Sequence, residues 1–135
     1  MTNCNYPARI QFVPKHIYPQ QMAEELTIDY GLKIIMFTVV DKDNHTSHTA
    51  KKYISKGYDE LIRLSSCDTL FGWIDSDKEP ATQGYRDGWS LQCFITLHND
   101  GHSLVYSMSE IETDSPFEAL LAWLKSYAPE IVPDW

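Results

Sequence analysis

The chain has 135 residues, 43% hydrophobic and 13% aromatic, with 11 Lys and Arg against 19 Asp and Glu and a net charge of −8. That size suits a single domain, 1–135, with a core of its own, and the composition excludes a disordered chain. No apolar run approaches the roughly 20 residues of a membrane span, and a field this negative repels nucleic acid and anionic membrane surfaces.

In chain order, Pro7–Val13 reads as a short edge strand, with Ile10 and Phe12 on one face and Pro14 limiting it. Pro19 then opens a short helix through Met22, Ala23 and Leu26 to Tyr30, with Gly31 as its C-terminal cap. Leu32–Val40 (LKIIMFTVV) is an almost unbroken apolar run, which predicts a strand covered on both faces. Thr46–Ser65 follows as a helix, with Tyr53, Ile54, Tyr58, Leu61 and Ile62 at helical spacing and Gly57 inside it. Cys67–Asp75 (CDTLFGWID) reads as a third core strand. Asp75–Gly88 (DSDKEPATQGYRDG) is the longest turn-rich segment, and loops of this length in small domains are commonly functional.

The final third has the clearest pattern. Trp89, Leu91, Cys93, Ile95 and Leu97 alternate with Ser90, Gln92, Thr96 and His98, the signature of a strand with one buried face. Asn99-Asp100-Gly101 supplies a tight turn, and Leu104, Tyr106 and Met108 alternate on the way back. Ser115 then caps a helix that has Pro116 at its first position and Glu118 in an S-x-x-E box. Phe117, Leu120, Leu121, Leu124 and Tyr127 form its apolar stripe. The predicted order is β-α-β-α-β-β-β-α. That is an α+β fold with a small mixed or antiparallel sheet, a C-terminal three-strand meander, and two to three helices on one face.

Few residues carry a chemical signature. Cys4, Cys67 and Cys93 are an odd number without C-x-x-C spacing, which argues against a disulfide framework, and Cys93 falls on a buried strand face. Without a basic-then-apolar leader in MTNCNYPARIQF, the expected setting is the cytoplasm. Asp41-Lys42-Asp43-Asn44-His45 begins like a calcium loop but has Thr46 where glycine and Lys52 where glutamate are required. Asp75-Ser76-Asp77 fails likewise, at Pro80 and Arg86. His45 and His48 lack a metalloprotease pattern, and His98 with His102 flank a polar hairpin tip. No phosphate loop, nucleophile elbow or paired nucleophile and base is visible, so no cofactor, metal or catalytic residue is assigned and an enzyme is the less expected reading.

Charge distribution carries the functional expectation. Residues 1–66 hold 8 basic and 7 acidic side chains, whereas residues 67–135 hold 3 and 12. Aromatic residues beside acidic ones on loops suit the binding of a basic protein surface. The expected contact set is Asp75, Asp77, Glu79, Tyr85 and Asp87, joined by Glu110, Glu112 and Asp114. The stretch Thr113-Asp114-Ser115-Pro116-Phe117-Glu118-Ala119-Leu120-Leu121 resembles the closing strand, turn and helix of small phage accessory proteins. The expectation is an acidic inhibitor, of immunity-protein or mobile-element type, that neutralises a basic partner such as a nuclease toxin or a nucleic-acid-binding complex. It would be a monomer or homodimer without direct nucleic-acid or membrane contact. The alternatives are a small ligand-binding domain or enzyme using His45, His48, Cys67 and the 75–87 loop, or a self-assembling subunit.

Overall fold

The computed structural model describes residues 6–16, 20–74, 89–99, 102–108 and 115–133, with the backbone alone at 15–16, 73–74, 89–90, 98–99 and 102–108. The described chain is α+β. Its strands are β1 (Arg9–His16), β2 (Met22–Asp29), β3 (Ile34–Asp41), β4 (Thr46–Tyr53), β5 (Trp89–Asn99) and β6 (His102–Met108). They form one six-stranded sheet in the order β4-β3-β2-β1-β5-β6, antiparallel throughout. The helices are α1 (Tyr58–Leu64), α2 (Cys67–Ile74) and α3 (Pro116–Tyr127).

The core follows from period-two alternation meeting across four strands. Ile95, Ile10, Ile28 and Ile35 lie side by side in register, and Cys93, Phe12, Leu26 and Phe37 form the next row. All but the half-buried Phe37 are fully buried. Leu61 of α1, Leu70 of α2 and Phe117, Leu120, Leu121 and Leu124 of α3 close over them. At about 25 cal/mol per Å² of apolar surface removed from water, each such side chain contributes about 1.5–3 kcal/mol. Burial of both rows therefore outweighs any single polar contact in the molecule.

Several sequence expectations are corrected here. Residues 19–30 are not a helix. Leu26, Ile28 and Tyr30 turn inward while Glu25, Thr27 and Asp29 lie on the other face, so the strand period prevails over the helix propensity of Ala, Glu and Leu. Gly31 is not a helix cap. It lies in the β2–β3 turn, where Asp29 Oδ1 accepts the Leu32 N–H at 2.9 Å and Lys33 takes φ 53°. Residues 46–65 divide into β4 and α1, and Gly57 is the left-handed N-cap of α1 with φ 77°. Cys67–Ile74 is a helix rather than a strand. The Ser66 hydroxyl accepts the Thr69 N–H at 3.2 Å, and the Leu70 N–H bonds to Ser66 O at 3.0 Å. The predicted three-strand meander is therefore the two-strand hairpin β5–β6, while β1 to β4 form a longer meander.

β1 is central, flanked by β2 and β5, and not an edge strand. Pro14 is tolerated because the β1–β2 register ends at Phe12↔Leu26, two residues before it. β3 is buried at Ile34 and Ile35 but exposed at Val40, so it is covered only toward its start. Two readings of the last third are borne out. β5 buries Leu91, Cys93, Ile95 and Leu97, and Ser115 caps α3 by accepting the Glu118 N–H at 3.2 Å.

Candidate interaction surface

The eight expected contact residues, Asp75, Asp77, Glu79, Tyr85, Asp87, Glu110, Glu112 and Asp114, lie outside the described residues. What is described is the scaffold on either side of them. Ile74 ends α2 and Trp89 begins β5, while Met108 ends β6 and Ser115 caps α3. β5 and β6 are neighbours and antiparallel, with Cys93 opposite Met108. Trp89 and Met108 are thus at the same end of adjacent strands, so both acidic stretches meet the sheet at one end. At that end also lie His16, in register with Trp89, and the β3–β4 turn. α2 and α3 pack against each other. The helix ends that receive the two stretches therefore belong to one layer.

Hydrogen bonds tie the opposite end of the sheet, where Asp29, Ile34 and Tyr53 lie, to the helices. The Tyr30 hydroxyl donates to Ser65 Oγ at 2.6 Å, Ser65 Oγ donates to Leu61 O at 2.6 Å, and the Tyr58 hydroxyl donates to Tyr30 O at 3.0 Å. Burial drives the Tyr30 phenol well above its ordinary pKa, so it stays a neutral donor. This chain ties the end of β2 to α1. At the far end of α3, Lys52 of β4 donates to Tyr127 O at 2.8 Å, pairs with Glu130 at 2.8 Å and lies 5.0 Å from the Tyr127 ring. Trp123 stacks on Tyr127 at 4.9 Å. The Tyr127 oxygen accepts the Ser55 N–H at 3.0 Å, clasping the β4–α1 link. Lys52 holds the Glu130 carboxyl below the usual carboxylate range.

Asp41 accepts from Asn44 Nδ2 at 2.7 Å, Gln21 Nε2 at 3.2 Å and the Asp43 and Asn44 N–H groups at 3.1 and 3.2 Å. Its carboxyl is lowered chiefly by the Asn44 side chain and is engaged in a hairpin turn. His45 lies in that turn with φ 54°, and His48 is in β4 rather than at a helix start. Among the described residues no group of three or more His, Cys, Asp and Glu could hold a metal ion. His98 and His102 flank the β5–β6 turn, as expected.

Cys93 is a free, fully buried thiol whose pKa is pushed up by burial, which leaves it a small apolar core residue. Cys67 is disulfide-bonded. This bond runs against the expectation from the odd cysteine count. Among the described residues no helix is long and apolar enough to cross a membrane.

Sequence reasoning missed the sheet face turned away from the helices. Gln11, Thr27, Met36 and Lys51 follow one another across it. Glu25 there accepts from Gln11 and, at 3.0 Å, from Thr27, and Thr38 meets Thr49 at 3.0 Å. The signal lay in the alternation of β2, which the helix reading concealed. No family model matches this chain, and no curated protein is significantly similar to it.

Proposed function

We propose that the chain is an acidic binding protein that neutralises a basic partner, of the kind represented by immunity proteins and by the inhibitors of phages and other mobile elements. The observation that carries this reading is the concentration of charge. Residues 67–135 hold 12 acidic and 3 basic side chains, and the two acidic stretches meet the sheet at one end. A rigid sheet and helix layer carrying acidic connections is the arrangement by which scaffolds commonly display binding loops.

The mechanism follows from the electrostatics. Negative charge at one end steers a cationic surface toward it, raising the association rate. Tyr85, within the first stretch, would then serve as the aromatic anchor that slows dissociation. The N-terminal end of α3, where negative charge is favoured, directly follows Glu110, Glu112 and Asp114 in sequence. Such a partner, with a cationic groove built for nucleic acid, would lose access to it.

The test is capture from the source organism at low salt, followed by a salt gradient. A basic protein that elutes as salt rises, and that the triple variant Asp75→Ser, Asp77→Ser, Glu79→Ser captures less well, supports the reading. Equal capture by wild type and variant removes these residues from the contact surface.

A further inference from the structure

β4 is the last strand of the sheet on its side, and among the described residues nothing pairs with its outer edge. Its inner edge is paired with β3 over eight residues without interruption, from Ile34↔Tyr53 to Asp41↔Thr46. Edge strands are usually blunted against like edges by shortness, charged side chains such as lysine, proline, a bulge or a covering element, and of these β4 carries Lys51 and Lys52. β4 has eight residues and no proline, and every residue except Lys52 is exposed.

The pairing fixes which backbone groups face outward. Ile54 N–H donates to Lys33 O at 2.8 Å, which makes 33/54 a hydrogen-bonded pair. In an antiparallel ladder such pairs alternate with non-bonded ones. Lys52, Ala50 and His48 therefore turn their backbone groups toward β3, and Tyr53, Lys51, Thr49 and Ser47 turn theirs away. The 3.0 Å contact between Thr38 Oγ1 and Thr49 Oγ1 agrees, because side chains of non-bonded pairs lie closer together. The N–H groups of all four and the C=O groups of Ser47, Thr49 and Lys51 thus point outward along about 20 Å, while the Tyr53 C=O accepts from the Tyr127 hydroxyl at 3.4 Å.

Charge selects the occupant. Residues 42–56 contain Lys42, Lys51, Lys52 and Lys56 against a single acidic residue, Asp43, in a chain of net charge −8. Lys52 is engaged by Glu130, while Lys42, Lys51 and Lys56 are exposed. The same lysines attract a strand of opposite charge.

We propose that β4 is a strand-addition site for an extended acidic segment of a partner protein. The segment forms a seventh strand on Ser47, Thr49, Lys51 and Tyr53, with a carboxylate across from Lys51 and an apolar side chain against the exposed Tyr53.

The probe is a capped octapeptide alternating Glu and Val, with a Lys–Val octapeptide as control. On titration into the isotope-labelled protein, the amides of Ser47, Thr49, Lys51 and Tyr53 are expected to gain protection from hydrogen exchange, and the control peptide leaves them unchanged. Thr49→Pro removes one outward N–H without touching the β3 ladder, and Lys51→Glu reverses the charge. Each is expected to weaken binding about tenfold, with an unchanged circular-dichroism spectrum confirming that it folds. Absence of protection at these four amides, equal binding of the Lys–Val peptide, or protection that rises with protein concentration alone each overturns the proposal, the last by assigning the edge to a second copy.

Discussion

The two flanks of the sheet differ in charge: β4 carries Lys51 and Lys52, whereas β5 and β6 carry no Asp, Glu, Lys or Arg. β4, on one flank, belongs to a stretch with four lysines and one aspartate, whereas β5 and β6 belong to the half that holds 12 of the 19 acidic residues. The order β4-β3-β2-β1-β5-β6 keeps the first four strands together and adds the last two beyond β1. The rows centred on Ile10 and Phe12 run from β5 to β3 and form the core between the two edge strands.

The largest expected effect separates core from flank. Phe12→Ala empties a fully buried site in the middle of the sheet and is expected to cost about 3–5 kcal/mol in urea unfolding. Thr49→Ala on the exposed β4 is expected to stay within about 0.5 kcal/mol. Similar losses at the two sites would mean that β4 is a structural strand and not a free edge.

Gly57→Ala comes next. With φ at 77°, a side chain there is expected to cost about 1–2 kcal/mol. Its Cβ would stand 3.4 Å from Trp123 Cζ2, an ordinary contact, so the loss comes from the backbone. Lys52→Met tests the clasp between β4 and α3, and a loss under about 1 kcal/mol that shrinks at high salt is expected for a half-exposed pair.

The smallest effect is on pH dependence. Asp41 and Glu130 bind protons less readily folded than unfolded. Their contribution is complete above the ordinary carboxylate range and is lost as pH falls through their lowered folded values. Asp41→Asn is expected to flatten the acid limb of the stability curve, read by denaturation at successive pH values. An unaltered limb would mean that the β3–β4 turn does not depend on that charge.

What was legible in the sequence follows the same division. The alternation of Leu91, Cys93, Ile95 and Leu97 and the Ser115–Glu118 cap are local signals reinforced by burial, and they were read correctly. β2 was not, because Met-Ala-Glu-Glu-Leu has helix-forming residues and its strand character comes from pairing with β1 and β3. β4 gives no apolar alternation at all, since an exposed edge strand needs none, and Tyr53, Ile54 and Tyr58 imitate helical spacing across the Gly57 break. The helix at Cys67–Ile74 was announced only by Ser66, a single hydroxyl. The candidate contact residues were chosen from charge and turn composition, which mark a surface but not its geometry.

The central claim is that the acidic half of the chain meets a basic partner. Its most direct test is the affinity of the captured partner for the wild type and for the Asp75→Ser, Asp77→Ser, Glu79→Ser variant, measured across a salt series. The account predicts that wild-type affinity falls as salt rises, that the variant binds more weakly at low salt, and that the two converge at high salt while folding stability is unchanged. Affinity that is independent of salt and equal for both proteins would contradict it.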